Sequence, residues 1–417
     1  MVVYLFLLVC TAMIWLQYKR ENNIINIISL LVIPYMFVVL TNFAFLQKLG
    51  FYRITDRVLV MFLLSLICFF IGSCCVAPVK APVILETDNE SRFEKYNIQA
   101  MTRFVLVIGL ICGAKALRLL MTGQFSGDNF EETEGLMGTG IVGHLLLISY
   151  SLLPIIFLYW IEHKKEILCL IVTIMIVLIT FSTFVKYNVI GVVVTLFIFA
   201  SIYKRSTIGK GVFILLLIVL LLFLGNYYLG FFLRNLRATS TFYMHHFWGY
   251  ITGSAIYDDY IFDPGINVNV TLEYKLLTFI FAFPNMFIRK MTGGKGLFPH
   301  IKKPFLIIGE GAGQRGNVTD AFGYLFPAKG LLIDKTMYFV VLIIIGMLFT
   351  NIYMKAKRKK EYFNTFICSF ITYFVFMSFF GTFYISPGPW EILLYSLTVP
   401  NLFLKSTDLR KGIIHLS

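Results

Sequence analysis

Charged residues are scarce in this sequence. Only 14% of its 417 residues are Asp, Glu, Lys or Arg, whereas 58% are hydrophobic. A soluble protein usually carries about 25% charged residues. This balance excludes a soluble globular protein and indicates an integral membrane protein.

Cysteine is scarce as well, and its placement excludes two kinds of site. The seven cysteines lie inside or at the ends of apolar runs, and the longest polar segment has none. This pattern predicts neither a disulfide framework nor a zinc site. The first apolar run begins at Val2 without a basic segment or a small-residue cleavage site, so it predicts a retained helix rather than a signal peptide.

The positive charge that is present does not indicate nucleic acid. The formal net charge is +14, but Lys and Arg occur in short clusters between apolar runs. Membrane proteins distribute basic residues in this way. We therefore expect the lipid bilayer, and no nucleic acid, as a partner.

The apolar runs predict the architecture. A membrane-crossing helix needs about 20 mostly apolar residues. Eleven runs come near that length, at 2–18, 24–46, 58–77, 101–120, 141–161, 167–185, 188–203, 212–230, 331–353, 363–385 and 390–404. We predict an all-α integral membrane protein with about 11 transmembrane helices and one long external loop. Residues 1–230 would hold helices 1–8, residues 231–330 the loop, and residues 331–417 helices 9–11 and a cytoplasmic tail.

Basic residues also predict the orientation, because short cytoplasmic segments are enriched in them. Most Lys and Arg outside the long loop fall on one side, near residues 19–20, 80–103, 164–165, 204–210, 355–360 and 405–411. We expect that side to be cytoplasmic. The N-terminus and the long loop would then lie outside, and the C-terminus inside.

Three basic residues near the outer surface are candidates for binding a diphosphate. Arg234 and Arg237 leave the eighth run three residues apart and would share a helical face, where guanidinium groups bind phosphate bidentately. Anchoring to lipid headgroups is the alternative. Lys186 stands in a tight outer turn at membrane depth, which makes it a functional candidate unless it snorkels to the interface.

The glycine-rich run from Ile308 to Asn317 is a weaker candidate. Its backbone N–H groups could converge on an anion, to which Arg315 would add charge. It lacks the Gly-Lys-Ser/Thr element of a Walker A loop. An ordinary flexible loop is the alternative interpretation.

Histidines and acids of the long loop suggest chemistry. His245 and His246 lie near Trp248 and Tyr250, an aromatic setting suited to stacking on sugar rings, and either histidine could act as a general base. Satisfied histidines in an interfacial aromatic belt are the alternative. Three acids further along could hold a divalent cation, although a solvated acidic loop accounts for them more simply. They are Asp258, Asp259 and Asp263.

The layout resembles a known family. Many spans, one long late outer loop and arginine-rich starts of outer segments are similar to the Wzy-type polymerases, which join lipid-linked oligosaccharide repeat units into O-antigen or capsular polysaccharide. A local likeness lies in Asn317-Val-Thr-Asp-Ala-Phe-Gly-Tyr324 followed by Gly330. Many relatives have an acidic residue and Phe just before that last glycine, whereas this chain has Ala328 and Lys329.

The resemblance implies an enzyme of the GT-C superfamily, B class, in the bacterial cytoplasmic (inner) membrane. Its substrate would be undecaprenyl-diphosphate-linked oligosaccharide, and a chain-length regulator and a flippase are partners of this kind of enzyme. Arg234, Arg237, Arg289, Arg315 and Lys186 would stabilise the diphosphate leaving group. The base would be His245, His246, Glu310 or Asp320. Trp248, Tyr250 and Asn317 would contact sugar.

The resemblance also bears on metals. Metal-dependent members of the other GT-C class carry paired acids in the first external loop. Here that loop, residues 47–57, has the single acid Asp56. We therefore predict a metal-independent reaction without a cofactor.

Three rival functions fit the same layout. An O-antigen ligase differs only in its acceptor. A flippase or exporter would show more buried charge inside its spans and shorter loops. A membrane acyltransferase could use His144 near an outer helix end, although the sequence reveals no second catalytic partner for it.

Overall fold

The computed structural model describes residues 1–79, 95–122, 137, 140–183, 186–203, 221, 224–225, 240–263, 272–292, 297–298, 305–311, 314–316, 318–359, 361–381 and 387–405. Helix dominates these residues. The helices are α1 (Val2–Glu21), α2 (Ile27–Ala44), α3 (Asp56–Cys74), α4 (Ile98–Met121), α5 (Gly140–Glu162), α6 (Ile167–Phe181), α7 (Lys186–Tyr203), α8 (Ser240–Tyr257), α9 (Leu272–Ile280), α10 (Ala282–Met291), α11 (Ala321–Leu325), α12 (Leu332–Lys359), α13 (Tyr362–Met377) and α14 (Pro387–Thr398).

Short elements complete the described chain. Three 3-10 helices occupy Leu46–Leu49, Asp258–Phe262 and Val399–Phe403. Two strands of two residues each, β1 (Leu306–Ile307) and β2 (Arg315–Gly316), pair antiparallel. The protein is therefore helical apart from this small ladder.

Six described helices, α1 to α5 and α12, are long and apolar enough to cross a membrane. They correspond to the predicted runs at 2–18, 24–46, 58–77, 101–120, 141–161 and 331–353. Helices α6, α7 and α13 are apolar but shorter. The predicted run at 212–230 lies outside the described residues except for 221, 224 and 225. The chain is thus a predominantly helical, membrane-embedded protein.

Contacts divide the chain into two compact units that each combine distant segments. Unit 1 comprises Met1–Lys80, Arg237–Lys355 and Ile371–Trp390. Unit 2 comprises Ala81–Leu236, Ala356–Phe370 and Glu391–Ser417. The first three helices therefore belong to the same unit as the described part of the long outer segment.

In unit 1, α3 and α12 cross with their backbones in contact. A Cβ added to Gly72 would collide with the carbonyl of Ile343, and one added to Gly346 would collide with that of Phe69. Small residues allow this close approach of membrane helices, where packing rather than the hydrophobic effect drives association. The crossing depends on glycine at both positions.

Unit 2 is a bundle built on α4, α5, α6 and α7. Gly109 of α4 leaves room for the Met175 side chain of α6. The buried hydroxyl of Tyr150 donates to Thr180 Oγ1 at 2.9 Å. This bond satisfies a polar group that would otherwise be costly inside an apolar bundle.

The segment predicted as one long external loop is largely helical where it is described. It contains α8, α9, α10 and α11. The interrupted apolar stretch from Leu272 to Ile288 forms two short helices separated at Phe281. Pro284 lies in the first turn of α10, where no backbone hydrogen bond is lost. The described part of this segment is therefore mostly helical, and its external location stays a prediction.

Candidate functional site

The glycine-rich segment is clamped onto the connection between α2 and α3. Glu310 N–H donates to the Gly50 carbonyl at 2.8 Å, and the bond from Tyr52 N–H to the Ile308 carbonyl measures 3.0 Å. The side chain of Gln314, which is 1% exposed, donates to the Leu49 carbonyl at 2.8 Å. The described residues of this segment, 308–311 and 314–316, are therefore held against residues 49–52 by hydrogen bonds, and we call them the strap.

The same bonds argue against an anion-binding turn at this point. Gly311 N–H donates to Gln314 Oε1 at 2.7 Å, and Glu310 N–H already serves Gly50. A Cβ on Gly309 would lie 2.6 Å from the Gly50 carbonyl oxygen. The glycine therefore permits close packing, and the predicted anion cradle is wrong for these two N–H groups.

The strap contacts His245, one of the predicted bases, at Gly311. A Cβ on Gly311 would lie 2.6 Å from His245 Nδ1, so the imidazole rests directly on this glycine. The ring of Phe51 meets His245 edge-on, with centroids 6.1 Å apart. Glu310, the residue before Gly311, is exposed. His245 thus contacts the residue that follows Glu310 in the strap.

His246 and the aromatic residues Trp248 and Tyr250 of α8 contact different neighbours. His246 meets Tyr250 edge-on at 4.9 Å, and Tyr250 stacks on Phe380 at 5.9 Å. Trp248 instead contacts Phe45 at 4.8 Å. Residues two apart on an α-helix differ by about 200° in direction. Trp248 and Tyr250, both predicted to bind sugar, therefore do not form one stacking surface.

Two carboxyl groups of unit 1 are buried close together. Asp258 follows the end of α8 and Asp320 precedes α11, and both are 0% exposed. Asp320 caps α11 by accepting the Gly323 N–H at 2.5 Å. Burial raises the pKa of Asp320 to about 7, against lowering contributions from Gly323 N–H and from the neighbouring Asp258 and Tyr35. The interpretation of Asp258 as part of a solvated acidic loop is wrong.

The adjacent acid serves a different contact. Asp259 Oδ1 accepts from Arg57 Nε at 2.6 Å and from Thr55 Oγ1 at 2.5 Å. Partial burial raises the pKa of Asp259, but these two bonds outweigh it and the net pKa is lowered. The side chains of Asp258 and Asp259 therefore make contacts in different places. Within the described residues, no group of three His, Cys, Asp or Glu side chains is placed to hold a metal ion.

Most of the predicted diphosphate-binding cations have side chains outside the described residues. Arg234, Arg237 and Asn317 lie outside the described residues, and the side chains of Lys186 and Arg289 do so too, although their backbones belong to α7 and α10. Arg315 is described, in β2, and is exposed. It lies in the same strap as Glu310.

Sequence reasoning missed two buried charged groups. Lys275 of α9 is 7% exposed and donates to the Phe326 carbonyl at 3.3 Å. In unit 2, Glu391 of α14 lies 2.8 Å from His144 of α5 and supplies the partner that the sequence did not reveal. Neither has a local motif, because each contact joins segments far apart in the chain.

Together the fold and these clusters define a helical membrane protein with an ordered polar region in unit 1. No protein-family model, curated protein or solved structure matches the chain.

Proposed function

We propose that this protein is a membrane glycosyltransferase of the Wzy type. It would polymerise undecaprenyl-diphosphate-linked oligosaccharide repeat units at the outer face of the bacterial inner membrane. The observation that carries this proposal is the contact of His245 with the strap at Gly311, next to the exposed Glu310. An imidazole or a carboxylate is suited to removing a proton from a sugar hydroxyl.

The reaction uses that proton acceptor on one side and a charged leaving group on the other. His245 or Glu310 takes the proton of the acceptor hydroxyl as its oxygen attacks the anomeric carbon. The bond from that carbon to the diphosphate breaks, and the lipid diphosphate leaves with the negative charge. Arg315, which is exposed in the same strap, stabilises this charge together with Arg234, Arg237 and Arg289.

The hydrogen bonds that hold the strap support its proposed role in proton transfer. Gln314, Gly311 and Glu310 are held by hydrogen bonds to one another and to residues 49–50. A base on a preorganised element keeps its geometry without a cost at the moment of reaction. A chain-length regulator and a flippase are the partners we propose, on the family likeness.

The test is an assay of the purified protein with undecaprenyl-diphosphate-linked repeat units, with and without a chelator. We expect a ladder of products that survives chelation. His245→Gln or Glu310→Gln should lower the rate about 100-fold or more, within the range of general base catalysis. His163→Gln and Glu361→Gln, at exposed positions elsewhere, should leave it unchanged.

Other outcomes redirect the proposal. Transfer of finished glycan to a lipid acceptor, without a ladder, would indicate a ligase. A correctly folded protein with neither product would contradict glycosyl transfer.

A transporter is the second candidate, and one specific observation favours it. Asp258, Asp320 and Lys275 are buried ionisable residues in a membrane protein, where such groups mark transport and proton pathways. Translocation of labelled lipid-linked oligosaccharide across vesicles containing the protein, without chain growth, would support this candidate.

A further inference from the structure

The short helix α11 reaches a deep position in unit 1. The ring of Phe322 stacks on Tyr35, with centroids 5.1 Å apart. Tyr35 is near the middle of α2, one of the helices long and apolar enough to span a membrane. The carboxyl of Asp320 interacts with the same tyrosine. Charge at such a depth is expensive unless it is neutralised.

The Asp258 and Asp320 carboxyl groups both lie against the same glycine, Gly323. The Gly323 N–H holds Asp320 Oδ1 at 2.5 Å. A Cβ on Gly323 would collide with the Asp258 carboxyl carbon and would lie 2.5 Å from its Oδ2. The two acids also interact directly. Two carboxylates this close in a dry environment disfavour double ionisation, so the pair retains a proton to higher pH than an isolated aspartate.

Among the described residues, the groups that act on the Asp320 carboxyl carry no positive charge. The buried cation of α9, Lys275, donates to the Phe326 carbonyl and lies over the Tyr324 ring of α11. Tyr35 of α2 and Asp258 act on the Asp320 carboxyl, and the backbone of α11 donates to it. The Tyr35 hydroxyl, in a residue only 1% exposed, approaches Asp320 and Ser378 but completes no hydrogen bond of ordinary geometry with the described residues. Tyr338 of α12 interacts with Tyr35, and Tyr257 of α8 interacts with Asp258. The groups around the Asp320 carboxyl are therefore suited to a neutral, protonated acid.

We propose that Asp258 and Asp320 form a buried proton-binding site in which the two carboxyl groups share one proton. The ligand is a proton taken from water. The proposal does not depend on the glycosyltransferase assignment, because it concerns the charge of the pair and not a substrate.

A second polar contact extends the site into the helix bundle. Tyr338 lies 2.7 Å from Ser65 Oγ, and Ser65 itself donates to the Met61 carbonyl at 2.7 Å. Tyr338 therefore donates to Ser65, and it also interacts with Tyr35. These hydroxyls link the acid pair to the contact between α3 and α12. A change in the proton on the pair would alter the orientation of this line of hydroxyls.

The pair should exchange its proton near neutral pH. The pKa of Asp320 is raised to about 7, mainly because burial disfavours the carboxylate. Below that pH the pair holds its proton, and above it the pair carries two negative charges.

The test is infrared spectroscopy of the full-length protein in nanodiscs, with carboxyl-labelled aspartate, as a function of pH. We expect a band from one protonated aspartate that disappears as the pH rises through about 7. Asp320→Asn keeps the helix cap, because Asn also accepts an N–H bond. It and Asp258→Asn should each shift the midpoint and the frequency, and the double variant should abolish the band.

Asp259→Asn is the matched control, since this neighbouring acid pairs with Arg57, and it should leave the band unchanged. Absence of a protonated aspartate in the wild type over the whole range from about pH 5 to 8 would overturn the proposal, whether or not the variants fold. A band that survives in the double variant, or responds to only one of the two single variants, would also overturn it.

Discussion

Nδ1 of His144 and Oε2 of Glu391 lie 2.8 Å apart across 247 residues of sequence. The glutamate side chain is 9% exposed and the histidine side chain 42% exposed. The hydroxyl of Tyr395, one turn after Glu391, is 3.5 Å from the same Nδ1. The carboxylate therefore fixes the orientation of the His144 imidazole ring. The other ring nitrogen, Nε2, is not engaged by this contact.

The first prediction concerns this pair. His144→Ala leaves the buried Glu391 carboxylate without its nearest donor, so the free energy of unfolding should fall by about 1–3 kcal/mol. Glu391→Gln should cost less, because the amide oxygen still accepts from Nδ1–H. Denaturant unfolding in detergent measures both effects. A loss equal to that of the exposed control His163→Ala would show that the contact does not stabilise the protein.

The second prediction is a dependence of stability on pH. Folded Asp320 keeps its proton up to about pH 7, whereas an unfolded aspartate loses it near about pH 4. Between these values the folded protein binds more protons, so the free energy of unfolding should decrease as the pH rises. Asp320→Asn should flatten this slope, and unfolding curves at several pH values measure it. An unchanged slope in the variant would assign the pH dependence to other groups.

The third prediction tests the glycine between the two acids. In Gly323→Ala the new methyl group would collide with the Asp258 carboxyl, and we expect a loss of about 1–3 kcal/mol from overpacking. Gly388→Ala is the control, because nothing lies within 4 Å of its added Cβ. Thermal unfolding of the two variants measures the difference. Equal stabilities would mean that the acids can move apart freely.

The fourth prediction concerns Asp259 and Arg57. The pair is 28% and 52% exposed in its side chains, so Asp259→Asn should cost about 0–1 kcal/mol at neutral pH. Since the pKa of Asp259 is lowered in the folded protein, its contribution is present above about pH 4 and lost as the pH falls further. Unfolding at neutral and acidic pH checks this sign. A cost that grows on acidification would contradict the ion pair as its source.

The sequence predicted the six long apolar helices because each carries its own apolar signal, whereas it did not predict α8 to α11. Helix α2 and the start of α12 lie close to the runs read from the sequence. The structure of the strap at Gly309 was harder to predict, because its glycines suit both an anion site and close packing. Only the hydrogen bonds to Gly50 and Leu49 distinguish these two interpretations.

The burial of charged groups could not be predicted for a related reason. Asp258 stands among other acids in a polar stretch, which is the composition of a solvated loop. Its burial depends on α11, whose five residues place Gly323 against it. His144 and Glu391 likewise meet only through tertiary packing, which no local pattern records.

The glycine crossing of α3 and α12 also constrains how unit 1 can move. Backbone touches backbone at Gly72 and again at Gly346, so the contact contains no flexible side chain that could yield. Sliding one helix along the other would drive a carbonyl into the neighbouring chain. We therefore expect any opening of unit 1 around Tyr338 to pivot about this crossing of the two helices.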